Sequence, residues 1–257
     1  MAKKMCLALG GGSARGFAHI GVLRVLIKNK IPINSIAGCS MGALIGGIYA
    51  AEANIVALEN LAEVFDFKKY FDITLSSKGY VKGKKIQELI ELMTKNISIE
   101  QAKIPFCCIA THIEKAASER FTKGPIHEAV RASISIPGVF TPYVIDGNTY
   151  VDGGVIDRTA IGAAWEMKPE VVIAVDVGYR GEPLTVPKSL VGLVKTSYSI
   201  MDWYLAQKNL LSASIVIQPE LSDIAGTQYT DIQNIVTRGE EAAIAALPDI
   251  KKVLAIK

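Results

Sequence analysis

The chain has 257 residues, of which 50% are hydrophobic and 7% are aromatic, and its formal net charge is only +3. A chain of this length and apolar content can bury a large core, which excludes intrinsic disorder. The weak net charge argues against nucleic-acid binding, which needs a concentrated basic surface.

The four cysteines argue for a reducing compartment. Cys6 and Cys39 stand alone, Cys107 and Cys108 are adjacent, and no C-x-x-C spacing suggests a zinc or redox site. The apolar run before the first glycines is too short for a secretory signal. We therefore expect a cytoplasmic protein that uses neither a metal nor a cofactor.

The first part of the chain predicts alternating strands and helices. Lys4–Leu9 is a short apolar run that ends in glycines, and Phe17–Lys28 has apolar residues at helical spacing. Ile33–Ala37 predicts a second strand, Met41–Ala53 predicts a helix with one face of small residues, and Ala53–Phe65 continues that helix. This succession is typical of a parallel sheet covered by helices.

The rest of the chain continues in the same way after a stretch over Asp66–Tyr80 that is predicted to be irregular. Helices are predicted at Gly83–Lys95, Ile126–Ser133, Thr159–Met167, Ser189–Leu211 and Thr230–Leu247. Strands are predicted at Ile104–Thr111, Glu119–Thr122, Tyr143–Ile145, Asn148–Val151, Val171–Val177 and Ser214–Ile217. The expected fold is one α/β domain over residues 1–257, with three α/β/α layers and a mainly parallel central sheet. Its core spans about residues 5–210, and a C-terminal strand and helix (211–257) pack on it.

A pentapeptide between the second strand and its helix has the form G-x-S-x-G. Gly38-Cys39-Ser40-Met41-Gly42 lies at a strand–turn–helix junction, which is the context that a nucleophile elbow requires. The turn would present Ser40 at a helix N-terminus, where free amides and the helix dipole stabilise developing negative charge. A chance match in a glycine-rich core is the alternative.

The glycine-rich loop after the first strand admits three interpretations. It lacks the lysine of a P-loop, and Ser13 stands where a dinucleotide fingerprint has its middle glycine. The third interpretation is an oxyanion hole in which the amides of Gly11, Gly12 and Ser13 converge on one oxygen. Parallel pairing of the first two strands would place this loop beside Ser40.

A third motif, Asp152-Gly153-Gly154, directly follows the predicted hairpin. Its carboxylate stands on a loop with little steric shielding and could act as a base. Taken alone, the motif is explained better by ordinary turn chemistry.

Together and in this order, the three motifs resemble those of the patatin-like phospholipases. That family carries a loop of the form G-G-G-x-R-G, a G-x-S-x-G elbow and a D-G-[GA] motif. Gly16–Leu23 and Arg131–Pro142 also look like segments of the family, so the resemblance extends over most of the chain. It implies a patatin-like fold, with Ser40 as the nucleophile and Asp152 as the base of a catalytic dyad.

The resemblance also assigns the oxyanion loop to Gly11–Arg15, followed by Gly16. Two departures from the family pattern stand out: Ser13 replaces the third glycine, and Asp157-Arg158-Thr159 stands where many members have Asn and Pro. The second departure concerns the rim of the substrate site rather than the dyad. Arg15 is expected to brace the loop by a salt bridge or a helix cap rather than to bind a lipid phosphate.

The activity that the resemblance implies is lipid acyl hydrolysis. Asp152 would accept the Ser40 proton as Ser40 attacks an ester carbonyl, and water would release the acid from the acyl-enzyme. The substrate would be a phospholipid, a lysophospholipid or another acyl ester. Partial burial against Tyr150 and Val151 should raise the pKa of Asp152 toward the working pH.

Two alternatives stay open. A Ser-His-Asp esterase or thioesterase would combine the serine with Asp66 or Asp72 and with His112 or His127, while His19 is expected to be structural. A non-catalytic lipid-binding protein on the same fold is the second alternative. Intact catalytic motifs argue against it, because a binder has no need of a strained elbow.

Aromatic residues and lysines concentrate in the Phe65–Lys85 region, where a lid or acyl pocket with a basic rim and ordinary helix packing both explain them. They are Phe65, Phe67, Tyr70, Phe71, Lys78, Tyr80, Lys82, Lys84 and Lys85. A basic rim would suit peripheral contact with the inner face of an anionic membrane. The apolar Ser189–Leu211 helix suits core packing, an oligomer contact or membrane insertion. The expected partners are therefore a lipid substrate, with a membrane surface and an oligomer as further possibilities.

Overall fold

A computed structural model describes residues 3–70, 72–76 and 79–256 of the chain. Its strands are β1 (Met5–Leu9), β2 (Ser35–Cys39), β3 (Ile73–Ser76), β4 (Gly79–Val81), β5 (Phe106–His112), β6 (Ala117–Phe121), β7 (Tyr143–Ile145), β8 (Asn148–Asp152), β9 (Val171–Val175) and β10 (Ile215–Ile217). Its α-helices are α1 (Ala18–Lys28), α2 (Met41–Glu52), α3 (Ile55–Val64), α4 (Phe67–Tyr70), α5 (Lys84–Met93), α6 (Ile126–Ser133), α7 (Ile161–Glu166), α8 (Leu190–Leu210) and α9 (Ile232–Val253). Short 3₁₀ turns lie at Ser13–Phe17, Ile99–Gln101 and Gly153–Val155.

The central sheet has the strand order β10-β9-β1-β2-β5-β8-β7, with β6 on the other edge of β5. The strands from β10 to β5 pair in parallel, and β6, β7 and β8 add antiparallel pairs. Alternate residues of β1 face opposite layers, because side chains alternate along a strand. Leu7 and Leu9 join the cluster that includes α1, α2 and α9, whereas Cys6 and Ala8 join the cluster that includes α7. The three-layer α/β/α prediction is confirmed.

The register along β5 brings the ends of two other strands together. Cys39 of β2 lies opposite Ile109, and Asp152 of β8 lies opposite the next residue, Ala110. Since β6 occupies the other edge of β5 at both positions, β2 and β8 share one edge and end there facing each other. The residue after Cys39 and the last residue of β8 therefore meet at this point.

The prediction that Asp66–Tyr80 is irregular was wrong. This stretch contains the single-turn helix α4 and the antiparallel pair β3–β4, elements too short to produce a hydrophobic period in the sequence. Phe71, Lys78 and the side chain of Phe67 lie outside the described part of the chain.

Two predicted helix boundaries also differ from the structure. Ala53 adopts a left-handed conformation that ends α2, and the Asn54 side chain then accepts the Val56 amide to cap α3 as a separate helix. At the other end of the chain, α9 continues through Pro248 to Val253. Burial of Ile250 in the core holds this last part of α9 in place despite the proline.

Candidate active site

Ser40 lies in a strained turn between β2 and α2. Its φ of 53° and ψ of −123° fall outside the ordinary regions for a residue with a side chain, a conformation that costs about 1–3 kcal/mol. Glycine is required nearby, since a Cβ on Gly42 would lie 2.0 Å from the carbonyl oxygen of Leu9. The turn directs the Ser40 hydroxyl to Asp152, and the Oγ–Oδ2 distance is 2.6 Å.

Ser133, at the end of α6, holds the backbone of the turn. Its Oγ accepts the Ser40 amide at 2.9 Å and donates to the carbonyl oxygen of Ile109 at 2.7 Å. This role could not be predicted from the sequence, because 93 residues separate the two serines and no local pattern links them.

Asp152 is 3% exposed and ends β8. Its Oδ1 accepts the Gly154 amide at 2.8 Å, while Oδ2 accepts the Ser40 hydroxyl. Burial raises the pKa of Asp152 to about 7, and the hydrogen bonds from Ser40 and Gly154 oppose that rise. A base with this pKa is half ionised near neutral pH, which suits proton transfer.

The glycine-rich loop lies beside Ser40. A Cβ on Gly11 would stand 3.2 Å from the Cβ of Ser40. The Gly11 amide, however, donates to the carbonyl oxygen of Arg158 at 2.8 Å, so it is not free to bind an oxyanion as the sequence suggested. In the part of the chain that the structure describes, the amides of Gly12 and Ser13 have no acceptor and are the donors that remain.

Ser13 occupies the third glycine position of the loop with a φ of 50°. This left-handed conformation favours glycine, because a Cβ crowds the backbone there. The substitution therefore leaves local strain in the loop.

Arg15 braces the loop, but through backbone carbonyls rather than a salt bridge. Its Nε donates to the carbonyl oxygen of Ile224 at 2.6 Å, and its guanidinium also donates to that of Gly178 at 3.2 Å. Gly16, next to it, allows close packing on the elbow, since a Cβ there would lie 2.2 Å from the Cγ of Met41.

Arg158, noted in the sequence only as a departure from the family pattern, is the second anchor of the loop. Its side chain is buried and donates to Asp176 at 3.0 Å and to Asp202 of α8 at 2.9 Å. Its carbonyl oxygen holds Gly11. Arg158 thus connects the glycine loop, the end of β9 and α8. These contacts join segments that are far apart in the sequence.

The three histidines do not hydrogen bond to Ser40. They bond instead to the carbonyl oxygen of Gly10 at 2.8 Å (His19), to Asn148 at 3.1 Å (His112) and to Gln87 at 3.1 Å (His127). Burial lowers the pKa of His19 to about 4, which keeps its ring neutral. Asp72, a carboxylate of the alternative triad, accepts the amides of Gly83 and Lys84 instead. This geometry gives no support to a Ser-His-Asp arrangement.

An apolar cavity opens beside Ser40. Phe65 connects it to the aromatic residues noted in the sequence, since its ring stacks on Tyr70 at 5.4 Å and packs edge-on against Phe17 at 5.2 Å. The cavity is lined by Ser13, Phe17, Ser40, Met41, Leu44, Leu61, Phe65, Ile86, Leu89, Ile134, Ile136, Phe140 and Tyr229. Phe65 therefore serves both packing and the cavity wall.

Arg131 supports residues 134–140, a segment that lines part of this cavity. It is 1% exposed and donates to Ser135 Oγ at 2.7 Å and to the carbonyl oxygen of Lys82 at 2.6 Å. Burial lowers the pKa of its guanidinium to about 10.

Within the described ranges, no cluster of three or more His, Cys, Asp or Glu side chains could hold a metal ion. No helix in those ranges combines the length and hydropathy needed to cross a membrane.

The sequence profile of the patatin-like phospholipases matches residues 7–165, a range that contains all three motifs. The chain belongs to this family. The resemblance deduced from the motifs is therefore confirmed.

This chain matches only part of the length of its relatives. An uncharacterized NTE family protein of Mycobacterium tuberculosis is 35% identical over 177 residues, which span 68% of this chain and 49% of the relative. Lysophospholipase nte1 of Neurospora crassa is 34% identical over 189 residues, which span 69% of this chain and 12% of the fungal protein. The chain thus matches about half of the mycobacterial protein and a small part of the fungal one.

Two solved structures share the fold. VipD from Legionella pneumophila superposes with a TM-score of 0.69 at 14% identity, covering 97% of this chain and 67% of VipD. The type III effector ExoU superposes with a TM-score of 0.52 at 10% identity, covering 97% of this chain and 54% of ExoU. The patatin-like architecture expected from the motifs is confirmed.

Proposed function

We propose that this patatin-like protein is a serine acyl hydrolase that cleaves carboxylic esters of phospholipids or lysophospholipids. The observation that carries the proposal is a 2.6 Å hydrogen bond. It runs from the hydroxyl of Ser40, which lies in a strained turn, to the buried carboxylate of Asp152. Names of relatives such as lysophospholipase nte1 agree with a lipid substrate. We also propose that residues 1–257 form one catalytic unit and act in the cytoplasm, with any membrane contact peripheral at its inner face.

Acylation begins when Asp152 takes the hydroxyl proton of Ser40. The Ser40 oxygen bonds to the carbonyl carbon, and the carbonyl π electrons move onto its oxygen to form the tetrahedral oxyanion. When the oxyanion collapses, the bond to the leaving oxygen breaks and the proton on Asp152 passes to that oxygen. The products of this half-reaction are the alcohol and an acyl ester on Ser40.

Deacylation repeats these steps with water. Asp152 takes a proton from water as the water oxygen attacks the acyl carbon. Collapse of the second oxyanion breaks the bond to Ser40, which regains the proton, and releases the carboxylic acid. The same carboxylate thus serves as base and acid in both halves.

The amides of Gly12 and Ser13 are the donors we assign to the oxyanion, since Gly11 donates to Arg158. Each such donor is worth about 10²–10³ in rate. The N-terminus of α2, which begins at Met41, adds its dipole to this field.

The apolar lining of the cavity beside Ser40 suits an acyl chain. Its wall is almost entirely apolar, and Ser13 and Ser40 are among its few polar lining residues. An acyl chain inserted along this wall would leave its carbonyl group at the loop and elbow. The acyl part of the substrate is therefore bound by apolar contact.

Labelling with a fluorophosphonate probe tests the proposal. Wild type should be labelled at Ser40 and should hydrolyse a water-soluble short-chain ester. Ser40→Ala should lose both properties, and Asp152→Asn should lose hydrolysis by about 10³-fold or more, since the serine loses its base. Full activity in Asp152→Asn would refute the dyad, and an unlabelled wild type would favour a lipid-binding protein. His112→Ala and His127→Ala are the matched controls, and their retained activity excludes the histidine triad.

A further inference from the structure

Large apolar side chains are exposed in one part of the surface. Eighteen such side chains are exposed among the described residues, and ten of them lie between positions 184 and 211, in α8 and the residues that flank it. They are Leu184, Val186, Leu190, Leu193, Val194, Ile200, Met201, Tyr204, Leu205 and Leu211. An exposed apolar concentration of this kind marks a site of contact with another surface.

Helix α8 directs two of its polar side chains, Asp202 and Asn209, toward the protein. Asp202 bonds to Arg158 at 2.9 Å, and Asn209 donates to Asp157 at 3.0 Å. The exposed side chains of Leu193, Val194, Met201, Tyr204 and Leu205 recur at helical spacing on the other face. These exposed apolar side chains are therefore spread over most of the length of α8, and exposed polar residues such as Gln207 and Lys208 lie among them.

Charge identifies what this face contacts. The sequence from 184 to 211 contains three lysines (Lys188, Lys195 and Lys208) and one acid, Asp202. The carboxylate of Asp202 is bound to Arg158, whereas Lys188 and Lys208 are exposed. A second copy would bring the same positive charges against each other, because a two-fold interface pairs identical patches. An anionic surface matches them instead.

We propose that α8 and residues 184–189 lie on the surface of an anionic lipid bilayer. A helix that exposes apolar side chains together with lysines can bury those apolar side chains at the boundary between headgroups and acyl chains. Tyr204 suits that boundary, since aromatic rings with a polar end concentrate there.

The inner face of α8 lies against the catalytic region. The hydroxyl of Tyr198 is 3.0 Å from the position that a Cβ would take on Gly154, two residues after Asp152. A helix is about 10–12 Å across, so a bilayer on the outer face would lie about one helix diameter from the D-G-G loop. The inference deepens the proposed function by naming the surface from which lipid substrate is drawn.

Flotation with vesicles tests the proposal, using the Ser40→Ala protein so that the lipid stays intact. Phosphatidylcholine vesicles that contain phosphatidylglycerol should bind the protein more tightly than phosphatidylcholine alone. Leu193→Gln with Met201→Gln should lower the partition coefficient about tenfold or more for each side chain. Lys188→Gln with Lys208→Gln should lower it about fivefold for each charge, on anionic vesicles only. Ile244→Gln, an exposed apolar residue of α9, is the matched control and should bind like its parent.

Binding that is equal in all these variants, or absent from anionic vesicles, overturns the proposal. Sedimentation velocity adds a second readout: a dimer that dissociates in the Leu193→Gln, Met201→Gln variant would assign the face to a second copy instead. A second assay separates membrane binding from catalysis. Each α8 substitution is made in the protein that retains Ser40, and hydrolysis of a water-soluble ester is measured, because this reaction requires the dyad but no membrane. If wild type does not hydrolyse the ester, the proposed function is refuted, whereas the measured binding to vesicles is unaffected.

Discussion

Replacement of Asp152 by asparagine should change how the stability of the protein depends on pH. Burial raises the pKa of Asp152 from 3.8 to about 7, so the folded protein holds this proton more tightly than the unfolded chain. The stabilisation from the protonated carboxyl is fully present below about pH 4 and is lost as the pH rises through about 7. Asparagine has no proton to lose and is free of this dependence.

The size of the effect follows from the pKa displacement. Each pKa unit is worth about 1.4 kcal/mol, so wild type should lose about 4 kcal/mol relative to Asp152→Asn between pH 4 and pH 8. Asp202, whose pKa burial raises to about 6, titrates in the same window. It is present in both proteins, and the comparison between them removes most of its contribution.

Urea denaturation at a series of pH values measures this difference. The free energy of unfolding of Asp152→Asn minus that of wild type should increase from about pH 4 to about pH 7 and level off above that pH. In Ser40→Ala the Asp152 carboxylate loses the hydroxyl that lowers its pKa. When both proteins carry Ser40→Ala, the difference that Asp152→Asn makes to the free energy of unfolding should therefore keep increasing to a higher pH. A difference that stays constant with pH would show that the buried carboxyl carries no such penalty, and the account of Asp152 as a neutral-pH base would fail.

Three further predictions concern the base and the residues around the elbow. The kcat/KM for a water-soluble ester should fall about tenfold per pH unit below about pH 7, reporting protonation of Asp152, and a flat acid side would contradict that assignment. Ser13→Gly should raise the free energy of unfolding by about 0.5–1 kcal/mol through relief of its left-handed strain; a decrease measured in urea would count against it. Ser133→Ala should lower kcat about 10- to 100-fold with little change in KM, because the Ser40 amide loses its acceptor, and unchanged kinetics would exclude this positioning role.

Removal of the Arg158 guanidinium is a separate test of the loop anchor. Arg158→Met should lower the free energy of unfolding by about 3–5 kcal/mol, since the buried Asp176 carboxylate loses its cationic partner. Thermal unfolding checks this, and Arg180→Met, which breaks a more exposed pair with Glu220, is the control. Equal small effects in both would show that the Arg158 network is dispensable.

The motifs of the chain could be recognised from the sequence because each is local. The pentapeptide around Ser40, the glycine loop and Asp152-Gly153-Gly154 each need their residue types at fixed spacing, whatever the rest of the chain does. The alternation of apolar runs likewise predicted the strand and helix order over most of the chain, because burial on both faces of a parallel sheet leaves a plain hydrophobic signal.

Short elements and long-range contacts could not be predicted in this way. Helix α4 and strands β3 and β4 have only three or four residues each, too few to repeat a hydrophobic pattern. The carbonyl of Arg158 that occupies the Gly11 amide depends on two segments almost 150 residues apart in sequence. Nothing local distinguishes that amide from those of Gly12 and Ser13.

The sequence by itself determined the family, the layer architecture and the residues from which a dyad could be built. Only the tertiary structure decided that the ends of β2 and β8 meet along β5, which brings the Ser40 hydroxyl within 2.6 Å of Asp152. It also decided the burial that raises the pKa of that carboxyl and the outward direction of the apolar face of α8. Strand register, desolvation and the facing of a helix arise from packing between distant segments, and no stretch of sequence records them alone.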